Sequence, residues 1–115
     1  MGKQARGGRV NRVNSLIKQL VSEEFLRNSD SLINSLTVSH VDTSSDMKKT
    51  TVYVTSLNNK KNKVIKSLSM NRSKIQKNIS NQIDMKYTPR ILFEIDPLLE
   101  NVEKINKLLS SISNE

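Results

Sequence analysis

The sequence predicts an α+β domain with helices laid on one face of a small sheet. Three observations carry that prediction. Apolar residues recur at helical spacing in three separate stretches, and three short segments alternate or are rich in β-branched residues. The two kinds of segment interleave in the order helix, strand, strand, broken helix, strand, helix. At 115 residues the chain has the length of one domain. A domain of that size buries roughly two-thirds of its unfolded surface, enough for a modest core.

Residues 1–8, MGKQARGG, hold all three glycines and no apolar periodicity, so a flexible basic arm is expected there. From Arg9 the pattern is helical: Val10, Val13, Ile17, Leu20, Val21 and Phe25 share one face. The turn formers Asn28-Ser29-Asp30-Ser31 end that helix near Arg27. Residues 36–42, LTVSHVD, and Thr50–Thr55, TTVYVT, then read as an antiparallel hairpin with a longer-than-minimal turn at Thr43-Ser44-Ser45-Asp46.

The stretch from Asn59 to Pro89 follows. Val64, Ile65 and Leu68, then Ile75, Ile79 and Ile83, fall at helical spacing, but Ser69-Met70-Asn71-Arg72-Ser73 interrupts the stripe. Two helical pieces meeting at a break are expected. Pro89 has no amide hydrogen to give a ladder and should mark the start of a third strand, in which Ile91, Phe93 and Ile95 alternate with Leu92 and Glu94. Asp96-Pro97 is a helix-entry signal, with Asp as N-cap and Pro at the first helical position. Leu98, Leu99, Val102, Ile105, Leu108, Leu109 and Ile112 give a final amphipathic helix, read as packing rather than partner contact. The domain is expected over 9–112, with 113–115 a tail.

The net charge is +8, and its distribution matters more than its size. Residues 1–20 carry five cations and no acid; residues 48–90 carry eleven against Asp84 alone. The other acids sit in 21–47 and 91–115. Such segregation builds a basic surface, the footprint of a polyanion binder. With no cysteine, disulfide and thiolate chemistry are excluded, and a reducing cytoplasm is expected. No apolar run is long enough for a membrane span or a signal-peptide core, so no membrane role is expected.

No catalytic or metal-ligating constellation stands out. His40 is the single histidine. His40 and Asp42 share a strand face, as do Glu94 and Asp96, and both pairs read as surface or capping groups rather than acid–base machinery. No phosphate-cradling glycine motif occurs. No enzyme activity, cofactor or small-molecule substrate is expected. Aromatics are few: Phe25 and Phe93 read as core, Tyr53 lies mid-strand, and only Tyr87 is expected to be exposed. Recognition of RNA shape and backbone is therefore expected rather than recognition of a base sequence.

Arg9 and Arg12 opening helix one, TVSHVDTSSD (37–46), VYVTSL (52–57), and Ile75 through MKYTPRILFEID (85–96) together resemble the ribosome-binding factor A family, over nearly the whole chain. The resemblance implies a type II KH-like domain: helix, two strands, a kinked helix and a strand, with an additional C-terminal helix here. It places the kink on Asn71, Arg72 and Ser73, where the family usually has Ala-x-Gly. It also implies a non-enzymatic, monomeric assembly factor. Such a factor binds the free small (30S) ribosomal subunit and assists late maturation and 5′-end processing of 16S rRNA.

The candidate RNA-contacting residues are Arg9, Arg12, Lys60, Lys63, Lys66, Arg72, Lys74, Lys77, Lys86 and Arg90. In the second helical piece, Lys66, Lys74 and Lys77 are expected beside Arg72 on one outer side, with Asn71, Asn78, Asn81 and Gln82 adding hydrogen bonds. The competing reading is a protein-interaction adaptor that uses the C-terminal helix, its basic surface incidental.

Overall fold

A central strand, β2 (Lys49–Thr55), pairs antiparallel with β1 (Thr37–Thr43) on one side and parallel with β3 (Arg90–Ile95) on the other. The computed structural model describes residues 2–56 and 61–96, with side chains from residue 8 onward. Three helices complete the described part: α1 (Gly2–Arg27), the short α2 (Ser31–Asn34) and α3 (Lys61–Gln82). The sheet is thus mixed, and over the described residues the expected succession of helix, two strands, helix and strand is observed, with the short α2 added. The final amphipathic helix, its Asp96-Pro97 entry and the 113–115 tail lie outside the described residues.

The alternating residues of β2 explain the layering. Thr50, Val52 and Val54 are buried on one face, while Thr51, Tyr53 and Thr55 stay half-buried on the other. Against the buried face pack Val13, Ile17, Leu20, Val21 and Phe25 of α1 and Val64, Leu68, Ile75 and Ile79 of α3. Phe25 meets Phe93 of β3 with ring centroids 5.8 Å apart. The polar members of this core are satisfied: the Thr43 hydroxyl donates to Asn14 Oδ1 at 2.5 Å and lies 2.9 Å from the Thr50 hydroxyl.

Four local differences from the sequence reading have physical causes. First, the arm expected over residues 1–8 is, from Gly2, the start of α1. Lys3, Gln4, Ala5 and Arg6 are intrinsically good helix formers, a preference that apolar periodicity does not register. Second, the turn after Arg27 carries a helix of its own: the Asp30 carboxylate accepts from Leu32 N at 2.9 Å and caps α2, which buries Ile33.

Third, β1 changes phase. A register shift between Val38 and His40 puts Leu36, Val38 and Thr43 toward the core while His40 and Asp42 are exposed. His40 instead stacks on its cross-strand partner Tyr53 at 4.2 Å and 14°.

Fourth, α3 is one uninterrupted α-helix of 22 residues, so the two pieces expected to meet at Asn71, Arg72 and Ser73 are one. The polar interruption is absorbed by partners elsewhere in the chain. Asn71 donates through Nδ2 to Ser67 O at 2.8 Å and accepts from Asn28 Nδ2 at 3.3 Å. Arg72 donates to the carbonyl of Ile91. Ser73 and Met70 fall on the outer face, where nothing needs to be buried.

Candidate nucleic-acid interface

Because α3 is continuous, its residues turn through about 100° each, and Arg72 and Lys74 stand about 200° apart. They therefore occupy different flanks. Arg72 lies toward the edge strand β3, lining a groove with Ile65, Leu68, Ser69, Phe93 and Glu94. Lys74 lies toward α1, lining a polar cleft with Glu24, Arg27 and Asn78. The expectation that Arg72 and Lys74 share one outer side is thus corrected.

The groove between α3 and β3 measures about 200 Å³. Arg90 N donates to Lys48 O and Asp96 N to Val54 O, so the alternate residues Ile91, Phe93 and Ile95 turn their backbone groups away from β2. At Ile91 that outward edge is held by α3. Gln76 Oε1 accepts from Ile91 N at 2.7 Å, and Gln76 Nε2 donates to Pro89 O at 3.0 Å. Beyond this clamp, the outward backbone groups of Phe93 and Ile95 have no partner among the described residues, and they run beside Ile65 and Leu68 with Arg72 in the same lining. Apolar surface, peptide groups and a cation are the kinds of group that suit a base, its polar atoms and a phosphate.

The remaining basic residues divide between two places. Lys63, Lys66, Lys74 and Lys77 are exposed along α3. Arg90 is exposed at the start of β3, in register with Lys49, and Lys48 adjoins them. Asn14 reaches Thr43 at this same end of the sheet, so Arg12 and Arg9, exposed on the preceding turns of α1, lie beyond it. Lys86 is exposed in the loop before β3, its ammonium 5.6 Å from the ring of Tyr87, which is 76 % exposed. Lys60 lies outside the described residues. Lys48, Lys49 and Arg27, which are not among the candidate residues of the sequence reading, are exposed beside them: the first two next to Arg90, the third in the cleft with Lys74.

The carboxylates do other work. Asp96 is buried and its Oδ2 accepts from the Ser39 hydroxyl at 2.6 Å, with His40 Nδ1 3.7 Å away. In the hairpin turn, Ser44 donates to Asp46 Oδ1 at 2.7 Å and Lys48 N donates at 3.1 Å. These bonds hold the Asp46 carboxyl below its ordinary value of 3.8, the Ser44 hydroxyl contributing most. Among the described residues, no group of three or more acidic or histidine side chains is placed to hold a metal.

The three-stranded mixed sheet with helices packed on one face is consistent with a KH-like domain. The model of the family described as ribosome-binding factor A matches residues 9–109, and the chain belongs to that family. It is 31% identical over 110 residues to ribosome-binding factor A of Halothermothrix orenii, covering 93% of this chain and 90% of the relative.

Two structural likenesses show the shared fold. The crystal structure of ribosome-binding factor A from Thermus thermophilus matches with a TM-score of 0.68 at 22% identity, over 75% of this chain and 94% of that one. A homology model of the Thermus thermophilus factor, fitted into a cryo-EM map of its 30S complex, matches with a TM-score of 0.59 at 23% identity, over 70% and 88%.

Proposed function

We propose that this chain is a small-subunit assembly factor that binds 16S rRNA of the free 30S subunit. It acts as a monomer in the cytoplasm and performs no bond chemistry of its own. Within that role it assists late maturation and 5′-end processing of the rRNA. The observation that carries the reading is the α3–β3 groove with Arg72 at its end, in a chain whose relative in Thermus thermophilus was fitted into a 30S complex. The exposed cations of α3, and those at the Lys49–Arg90 end of the sheet, supply the phosphate contacts around that groove.

Cosedimentation of the full chain with free small subunits and with mature ribosomes tests the proposal. The free subunit should retain the protein and the mature ribosome should not. Equal retention by both removes the assembly-specific part. A partner that survives RNase treatment of the complex favours the adaptor reading instead.

A further inference from the structure

The cleft on the other flank of α3 is left unused by the groove. It measures about 390 Å³, within the range of about 300–1,000 Å³ common for small-ligand pockets. At its floor is a carboxylate with little solvent contact: the Glu24 side chain is 11% exposed. Its Oε2 accepts from Asn78 Nδ2 at 3.0 Å and its Oε1 from Arg27 Nη2 at 3.2 Å. Each carboxylate oxygen accepts about two hydrogen bonds, so among the described contacts both keep unused acceptor capacity. Asn81 adds an exposed amide, Gln82 adds one whose Nε2 already donates to Asn78 O at 3.0 Å, and Arg27 and Lys74 line the same cleft.

The charge arrangement selects the ligand. The Glu24 carboxylate, even paired with Arg27, presents acceptors and no donor, which disfavours a phosphate beside it and favours N–H donors. The lining cations favour a phosphate nearby. A nucleotide satisfies both at once when its base presents, on its Watson–Crick edge, an exocyclic amine beside a ring-nitrogen acceptor, as cytosine and adenine do and guanine and uracil do not: the carboxylate accepts from the amine and a side-chain amide donates to the ring nitrogen. A base already paired in a helix does not present itself to such a cleft.

We propose that this cleft receives one unpaired cytidine or adenosine of the bound RNA, with Glu24 accepting from the base amine, Asn81 and Gln82 reading its edge, and Arg27 and Lys74 holding its phosphate. The inference rests on the RNA-binding reading above. It gives that binding a preference for a base.

The test measures fluorescence anisotropy of the full chain with one hairpin RNA in four forms: fully paired, or with a single bulged cytidine, adenosine or uridine. The cytidine and adenosine bulges should bind on the order of tenfold tighter than the other two. Glu24→Gln keeps an acceptor for Asn78 and should bring those two bulges to the uridine level, leaving the paired hairpin unchanged. Asn81→Ala, at an exposed position, should act in the same direction and decides the matter if Glu24→Gln disturbs folding by circular dichroism. Equal binding of all four forms by the wild type, or full preference kept by both variants, overturns the proposal while RNA binding stands. Glu24 would then serve only to tie α1 to α3. Failure to bind any of the four at low salt overturns the RNA-binding reading itself.

Discussion

The Gln76 side chain accepts the outward amide of Ile91 at 2.7 Å, and so a helix residue completes the hydrogen bonding of an edge strand. Through its other amide atom the same side chain holds Pro89 O at 3.0 Å. This clamp sets where the exposed peptide edge of β3 begins.

Gln76→Ala removes both bonds and leaves the half-buried edge at Ile91 without its acceptor. Stability should fall by about 1–3 kcal/mol, measured by urea denaturation. Gln76→Glu keeps the acceptor and loses the donor, so its loss should be smaller. Identical midpoints for wild type and Gln76→Ala would show that the clamp contributes nothing.

Arg72 and Lys74 lie on opposite flanks of α3, so their contributions to RNA affinity should be separable and roughly additive. Arg72→Ala and Lys74→Ala should each weaken binding and lower the magnitude of the salt slope by about 1. For about six phosphate contacts, the wild-type slope of log K against log salt should be near −4 to −5. A slope shallower than about −1 is incompatible with a phosphate-dominated interface.

The Asp46 carboxyl is held below 3.8, chiefly by the Ser44 hydroxyl and then by the Lys48 amide. A depressed folded-state value means that ionised Asp46 favours the folded turn. That contribution is present above the unfolded value near 3.8 and is lost as pH falls through the lower folded value. Carboxyl-carbon NMR titration should show Asp46 titrating below 3.8, and Ser44→Ala should move it back upward. An unchanged midpoint in Ser44→Ala would assign the depression to the backbone.

Much of the fold was legible because burial leaves a period. Val13, Ile17, Leu20, Val21 and Phe25 mark the inner face of α1 as they stand in the chain, and Val52 and Val54 mark the buried face of β2. Pro89 announced the start of β3 because it lacks an amide hydrogen, and the strand begins one residue later. The charge segregation likewise needed no structure.

Only the tertiary structure decided what the polar residues do, since a hydrogen-bond partner distant in the chain leaves no local pattern. Asn71-Arg72-Ser73 reads as a break because the apolar stripe lapses there. It is helix because Asn28 and Ile91 O, far away in sequence, satisfy Asn71 and Arg72. The same continuity sends Arg72 to the groove and Lys74 to the cleft, since only a helix of fixed pitch determines which residues share a flank. The sequence by itself determined the three strands, the inner faces of α1 and α3 and the basic character. The side on which each cation acts was decided when the helix met the strand edge and α1.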